Sequence, residues 1–246
     1  MMVQSKYRLC ELFGIPIYVD ISFAILLLIF MMDFGSFTFG IAAALALAIS
    51  VTLHELGHAL TARAFGYRTN DITLSLLGGC ASLISLPRKA WQEFLTALAG
   101  PLVSFSISFA VLLLDILGIR IENNWLRGVL SYVFYMNIML GGFNLLPGFP
   151  MDGGRIFRSV MQVFVSRPKA TLVAMWVGRV FAILLALRGV HSIFSGGSWG
   201  FISILIAWMI WKEGHREYQL ALRDEAWNRW TQDDFNARVS PPPYDR

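Results

Sequence analysis

The residues best suited to chemistry lie in Ser50-Val-Thr-Leu-His54-Glu55-Leu-Gly57-His58-Ala-Leu-Thr-Ala62. On a helix, His54 and His58 fall at i and i+4, one above the other on a single face, where two imidazole nitrogens can grip one Zn²⁺. Glu55 then lies near enough to act as a base toward water at the metal, which is the zinc-peptidase pattern His-Glu-x-x-His. A chance match on an amphipathic helix is the plain competing reading of so short a motif. The setting favours chemistry: Phe39 to Val51, directly ahead, contains no charged residue. Ionisable side chains at the end of a membrane-embedded stretch are costly and functional by default.

A catalytic zinc takes three protein ligands and leaves one position open. The candidate third ligand is Asp152, in Asn144-Leu-Leu-Pro147-Gly-Phe-Pro150-Met-Asp152-Gly-Gly154. Two prolines and three glycines keep this segment from remaining a regular helix. Broken backbone at membrane depth survives only when buried in protein or lining a wet cavity. Asp152 has an alternative role as N-cap of a helix over Gly153–Val165, and the two roles are compatible.

These residues need a membrane bundle to position them. The chain of 246 residues is 56% hydrophobic, with a mean hydropathy of +0.59. A water-soluble domain is about 45–50% apolar even with glycine counted. The net charge of +4 is scattered through short loops and a tail, which argues against a nucleic-acid stripe. Cys10 and Cys80 form no metal-spaced pair and read as packing residues. Lys6 and Arg8 precede an apolar stretch without a small-residue cleavage site, which favours a retained first span.

Six spans are expected: Ile15–Met32, Phe37–Ala64, Phe94–Ile119, Leu126–Leu146, Thr171–Leu187 and Ile193–Trp211. Gly14-Ile-Pro16 reads as a turn or short strand leading in, and Gly100-Pro101 as a kink. Between spans two and three, Ile72 to Leu86 alternates apolar and polar residues around Gly78-Gly79, predicting a β-hairpin. The fold class is therefore an all-α polytopic membrane protein with a small β-hairpin or sheet between helices 2 and 3. Residues 1–212 form the six-span domain. Residues 213–246 form a tail, amphipathic to about Trp230 and then disordered around Val239-Ser-Pro-Pro-Pro.

With six spans, sixteen of the 20 Lys and Arg residues fall on the side of the termini and of the loops after spans two and four. Only Arg120, Arg127 and Arg188 fall opposite, and Arg179 lies within span five. The positive-inside rule puts the termini, and with them the ends of spans two and four, in the cytoplasm.

The motifs resemble the site-2 protease group of intramembrane zinc metalloproteases. His54-Glu55-Leu-Gly57-His58-Ala is similar to its first signature, and Asn144 through Gly154 to its second. Gly100-Pro-Leu-Val-Ser104 is similar to its Gly-x-x-x-Asn/Ser/Gly element. Gly14-Ile-Pro, Gly78-Gly79 and Gly178-Arg179 extend the likeness over roughly residues 8 to 190. The resemblance implies zinc held by His54, His58 and Asp152, with Glu55 as general base and acid. It implies that Asn144 helps hold substrate or the developing oxyanion. It also implies a membrane-anchored protein substrate in regulated intramembrane proteolysis, in a prokaryotic cell membrane. Spans two and three lie too close for an inserted PDZ domain, and the residues after span six are too few for CBS domains, so a compact subtype is expected. The edge of the Ile72–Leu86 hairpin is a candidate seat for an extended substrate by strand addition, the alternative being a hairpin that only caps the core. A zinc or proton transporter, or a catalytically silent membrane chaperone, would also place His, Glu and Asp in a bundle. Neither needs Glu55 in this arrangement.

Overall fold

The computed structural model describes residues 6–33, 36–75, 78–83, 89–197 and 200–234. The chain divides into two compact units, Met1–Leu146 and Pro147–Arg246.

The first unit opens with β1 (Lys6–Leu12) and β2 (Ile15–Asp20), followed by α1 (Ile21–Asp33) and α2 (Phe37–Ala64). It continues with β3 (Thr69–Ser75), β4 (Gly78–Leu83), α3 (Ala90–Ile116) and α4 (Asn124–Asn144). The four strands form one sheet in the order β1-β2-β3-β4, with β2 parallel to β3 and the other pairs antiparallel. This corrects the expectation of a hairpin confined to the region between helices 2 and 3. Ile15, Ile17 and Val19 alternate with Pro16, Tyr18 and Asp20, a period of two that makes a strand of what reads as the start of a span. The helix that follows, α1, has only 13 residues, about 20 Å at 1.5 Å per residue, against roughly 30 Å of hydrocarbon. Cys10 is exposed on β1 and not a packing residue. The Cys80 side chain lies outside the described residues, as do hairpin residues 76–77 and 84–86 and the tail beyond 234.

Ile15 and Ile17 of β2 and Ile72 and Leu74 of β3 pack with Val51, Leu56 and Ala59 of α2 into one buried cluster. The sheet therefore grips the helix at the turn that carries the histidines. Ser36 caps the start of α2, its Oγ accepting from the Phe39 N–H at 3.4 Å. The helix stops where Gly66 turns to φ +87°, with the Tyr67 N–H donating back to the Ala62 carbonyl at 3.0 Å. Arg63 in that last turn donates to the Phe13 carbonyl at 2.7 Å, fastening the helix end to the β1–β2 turn. Inside the unit, Asn137 of α4 is fully buried and donates to Ser50 Oγ of α2 at 2.9 Å.

The second unit holds α5 (Asp152–Met161), α6 (Arg167–Phe194) and α7 (Gly200–Asp234). α7 is one continuous 35-residue helix, so the expected sixth span and amphipathic tail share a single element. Arg158 of α5 is buried, stacks over Phe149 at 4.8 Å, and donates to Glu217 of α7 at 3.2 Å. Arg155 reaches the other Glu217 oxygen at 3.3 Å.

Among the described residues, three helices are long and apolar enough to cross a membrane: α2, α3 and α6. Six were expected. Besides the short α1, α4 carries Arg127, Asn137 and Asn144, and the apolar part of α7 ends at Lys212. The chain is an integral membrane protein by these apolar helices.

Burial works to raise the Glu217 carboxyl, and the Arg155 and Arg158 guanidiniums outweigh it, holding it below the ordinary glutamate value. A carboxyl depressed in this way contributes stability that is present above its unfolded pKa and lost as pH falls through its folded one. Glu217→Gln leaves Arg158 buried without its counter-charge and should cost about 3–5 kcal/mol at neutral pH. Unfolding of the full chain in detergent should show this gap at pH 7 and a shrinking gap as acid protonates wild-type Glu217.

Candidate metal centre

α2 places His54, Glu55 and His58 in the buried part of the first unit. The two imidazole rings stand 4.9 Å apart, centroid to centroid, and nearly perpendicular at 79°. Each is fixed on its Nδ1 side by α3. His58 Nδ1–H donates to the Thr96 carbonyl at 2.7 Å. His54 Nδ1 lies 2.9 Å from Ser104 Oγ, a bond it donates when its other nitrogen is a ligand. The proton is thereby held on Nδ1 and the Nε2 lone pair is left for a metal, the usual role of a hydrogen bond behind a ligating histidine.

Gly100 shows how closely those nitrogens approach α3. A Cβ built on it would lie 2.7 Å from Nε2 of His54 and closer still to Nε2 of His58. Both nitrogens therefore lie against one point on the α3 backbone, within 4.8 Å of each other. No larger residue fits between α3 and the rings. Pro101 follows within an unbroken α3; it leaves the carbonyl of Ala97, the residue after Thr96, without its usual donor. Two convergent neutral imidazoles suit Zn²⁺, which needs further oxygen or nitrogen donors to complete its shell.

Asn144 is the last residue of α4, half-buried, with its Nδ2 donating to the Leu140 carbonyl at 3.0 Å. In the second unit, Asp152 is the first residue of α5, and the cap position belongs to Met151. The N-cap alternative therefore fails by one residue. A carboxylate in the first turn still lies favourably at the positive end of the helix dipole. The segment ahead of it is seated on α6. The Phe149 N–H donates to the Ala174 carbonyl at 3.3 Å, and a Cβ on Gly148 would fall 2.6 Å from the Gly178 N. Glycine meets glycine there so that backbone can pack on backbone.

Sequence reasoning quotes Gly100, Ser104 and Gly178 as parts of motifs without deriving what they touch. It misses the Thr96 carbonyl, which no side chain advertises. It also misses the Arg158–Glu217 pair, which reads as ordinary loop and tail charge; the only available signal is a run of two arginines three apart directly after Asp152.

Gly100→Ala should push both rings off Ser104 and Thr96 and weaken zinc binding about ten- to a hundred-fold, the scale of losing outer-shell partners. The check is zinc content by mass spectrometry of the purified variant, with helical circular dichroism unchanged.

Comparison with known proteins follows the same residues. The family model Peptidase family M50 matches residues 42–120 and 115–187, which takes in most of α2, all of α3, α4 and α5, and most of α6. A Synechocystis protein provisionally named a zinc metalloprotease is 32% identical over 257 residues, 97% of this chain and 66% of that one. A zinc metalloprotease of Methanocaldococcus jannaschii is 36% identical over 188 residues, 75% of this chain and 54% of that one. The chain thus spans about half to two thirds of the length of these relatives. The solved site-2 protease from Methanocaldococcus jannaschii superposes with a TM-score of 0.66 at 32% identity, covering 87% of this chain and 95% of that one. The chain belongs to peptidase family M50, the zinc metalloprotease family in which the site-2 proteases stand.

Proposed function

We propose that the chain is an intramembrane zinc metalloendopeptidase, hydrolysing a peptide bond in or near the transmembrane segment of a membrane-anchored protein in regulated intramembrane proteolysis. His54, His58 and Asp152 are the metal ligands in this reading, and Glu55 is the general base and acid. The observation that carries it is the approach of both Nε2 atoms to Gly100, with Glu55 between the histidines on a helix apolar enough to cross a bilayer. Asp152 completes the donor set. Three protein ligands leave the open position a catalytic site needs.

Bound zinc supplies Lewis acidity, polarising a carbonyl and making water acidic enough to ionise near neutral pH. The chain's own residues do the rest. Thr96 and Ser104 keep the imidazoles turned with Nε2 toward the reaction. Glu55 takes the proton from the attacking water and returns it to the leaving nitrogen. Asn144 has a second amide N–H beyond the one bonded to Leu140, and this donor serves the substrate carbonyl as charge develops on its oxygen.

A substrate helix hides its carbonyls in its own hydrogen bonds and must be unwound locally before attack. The outer edge of β4, at the end of the sheet order, is the seat we assign to the unwound segment, paired as an added strand. In the bilayer, α1, α4 and the first half of α7 accompany α2, α3 and α6, which restores six membrane segments. Basic residues then place the termini and the Glu55 end of α2 on the cytoplasmic side of a prokaryotic cell membrane.

Two experiments test the reading. Purified Glu55→Gln should keep zinc and lose about 10²–10⁴-fold in cleavage of a transmembrane model substrate. Unchanged cleavage defeats the assignment, and zinc flux into liposomes without cleavage by wild type favours a transporter. Proline placed at outward-facing amides of β4 should cut cleavage with zinc content unchanged; full activity in those variants removes the strand-addition seat.

A further inference from the structure

Arg179 reads from the sequence as a charge in the middle of span five. Its surroundings are aromatic and cationic. The guanidinium lies between two indole faces, 4.7 Å from the Trp176 centroid on its own helix and 4.5 Å from that of Trp211 on α7. One turn before Trp211, Trp208 carries the Lys212 ammonium at 5.2 Å. The result is a surface cluster of two cations and three tryptophans on α6 and α7, and the tryptophans are 42–58% exposed.

The outward face of α7 changes character at this level. Along α6 the exposed residues after Trp176 begin with Val180, Ile183, Leu184 and Leu187 and reach Arg188 and His191, and exposed Val173 lies between Trp176 and the exposed Lys169. Along α7 the exposed Phe201, Leu205 and Trp208 give way to Lys212 and then Arg216. On α7 apolar surface gives way to charge at Trp208 and Trp211, the pattern of an aromatic belt at a membrane–water interface, and Trp211 carries Arg179 to that level. Arg179 therefore lies at headgroup depth, reached from inside the apolar face.

The cluster also lacks an anion. Among the described residues, neither Arg179 nor Lys212 has a carboxylate within ion-pair reach. The Arg179 Nε is buried and has no hydrogen-bond partner. The indole faces hold the guanidinium by cation–π attraction but neutralise no charge, and its terminal nitrogens keep the planar fork that matches phosphate oxygens.

We propose that Arg179, clasped by Trp176 and Trp211 and joined by Lys212, is a binding site for the headgroup phosphate of an anionic phospholipid. The acyl chains lie along the apolar outer faces of α6 and α7, and the fork takes the phosphate with the ammonium beside it, as basic clefts between membrane helices do. The site stands apart from the metal centre. It does share a wall with the Asp152 segment, because Gly178, next to Arg179, packs directly on the Phe149 carbonyl. A bound lipid thus braces α6 where that segment rests.

The test is native mass spectrometry of the full-length protein released from nanodiscs of phosphatidylglycerol or of phosphatidylcholine, for wild type, Arg179→Gln and Lys212→Gln. Wild type should retain one more phosphatidylglycerol than Arg179→Gln, and about tenfold more of it than of phosphatidylcholine. Lys212→Gln, at an exposed position that leaves folding intact, should retain an intermediate amount. Added phosphatidylglycerol should raise the melting temperature of wild type and not that of Arg179→Gln, and inorganic phosphate should not reproduce the rise. Equal retention of both lipids by wild type, or equal phosphatidylglycerol retention and stabilisation in all three proteins, overturns the proposal.

Discussion

Two hydrogen bonds behind two imidazoles are what the site depends on. Free histidines at i and i+4 sample several rotamers and two tautomers, and most of those point a proton, or nothing, at a shared ion. The Thr96 carbonyl and Ser104 hydroxyl, both from α3, remove that freedom. Gly100, one turn from each, leaves the space in which the nitrogens lie. The β2–β3 cluster, packed on Val51, Leu56 and Ala59 of α2, holds the helix against rotation. A metal centre inside apolar helices needs this bracing because there is little water to satisfy a ring that has turned the wrong way.

The same economy governs the other polar groups. Ser50 meets Asn137, Ser108 donates to the Phe134 carbonyl at 3.0 Å, and Thr171 donates to its own helix at the Arg167 carbonyl at 2.8 Å. In the second unit the fastening is electrostatic. Glu217, beyond the apolar part of α7, holds Arg155 and Arg158 of α5, so the helix that begins with Asp152 is tied to the C-terminal element. Glycine does complementary work on the α6 side, where Gly148 and Gly178 let the proline-broken segment settle onto a helix backbone.

The sequence discloses the chemistry better than the architecture. His54, Glu55 and His58 are legible because helix periodicity alone stacks them, and Asp152 because prolines and glycines mark its segment as irregular. The bounds of α2, α3 and α4 follow closely from apolar runs and from the glycine at 66. The N-terminal strands are harder. Ile15 to Met32 is apolar throughout except Asp20, and a length criterion joins strand β2 to helix α1 because hydropathy does not register a change of period. Pairing of β2 with β3 is a contact across more than fifty residues, which no local pattern announces. The Thr96 carbonyl is invisible for a simpler reason: every residue has one, and only the fold selects which carbonyl meets a histidine.

The central claim is that one zinc ion is held by two imidazole nitrogens and one carboxylate. X-ray absorption at the zinc edge on the purified full-length protein tests this directly. The account predicts two histidine scatterers with nitrogen at about 2.0–2.1 Å, oxygen neighbours making up the rest of the shell and no sulfur; in Asp152→Ala an oxygen ligand should be lost and zinc should bind more weakly. A shell containing sulfur, or an unchanged spectrum and affinity in Asp152→Ala, would contradict it.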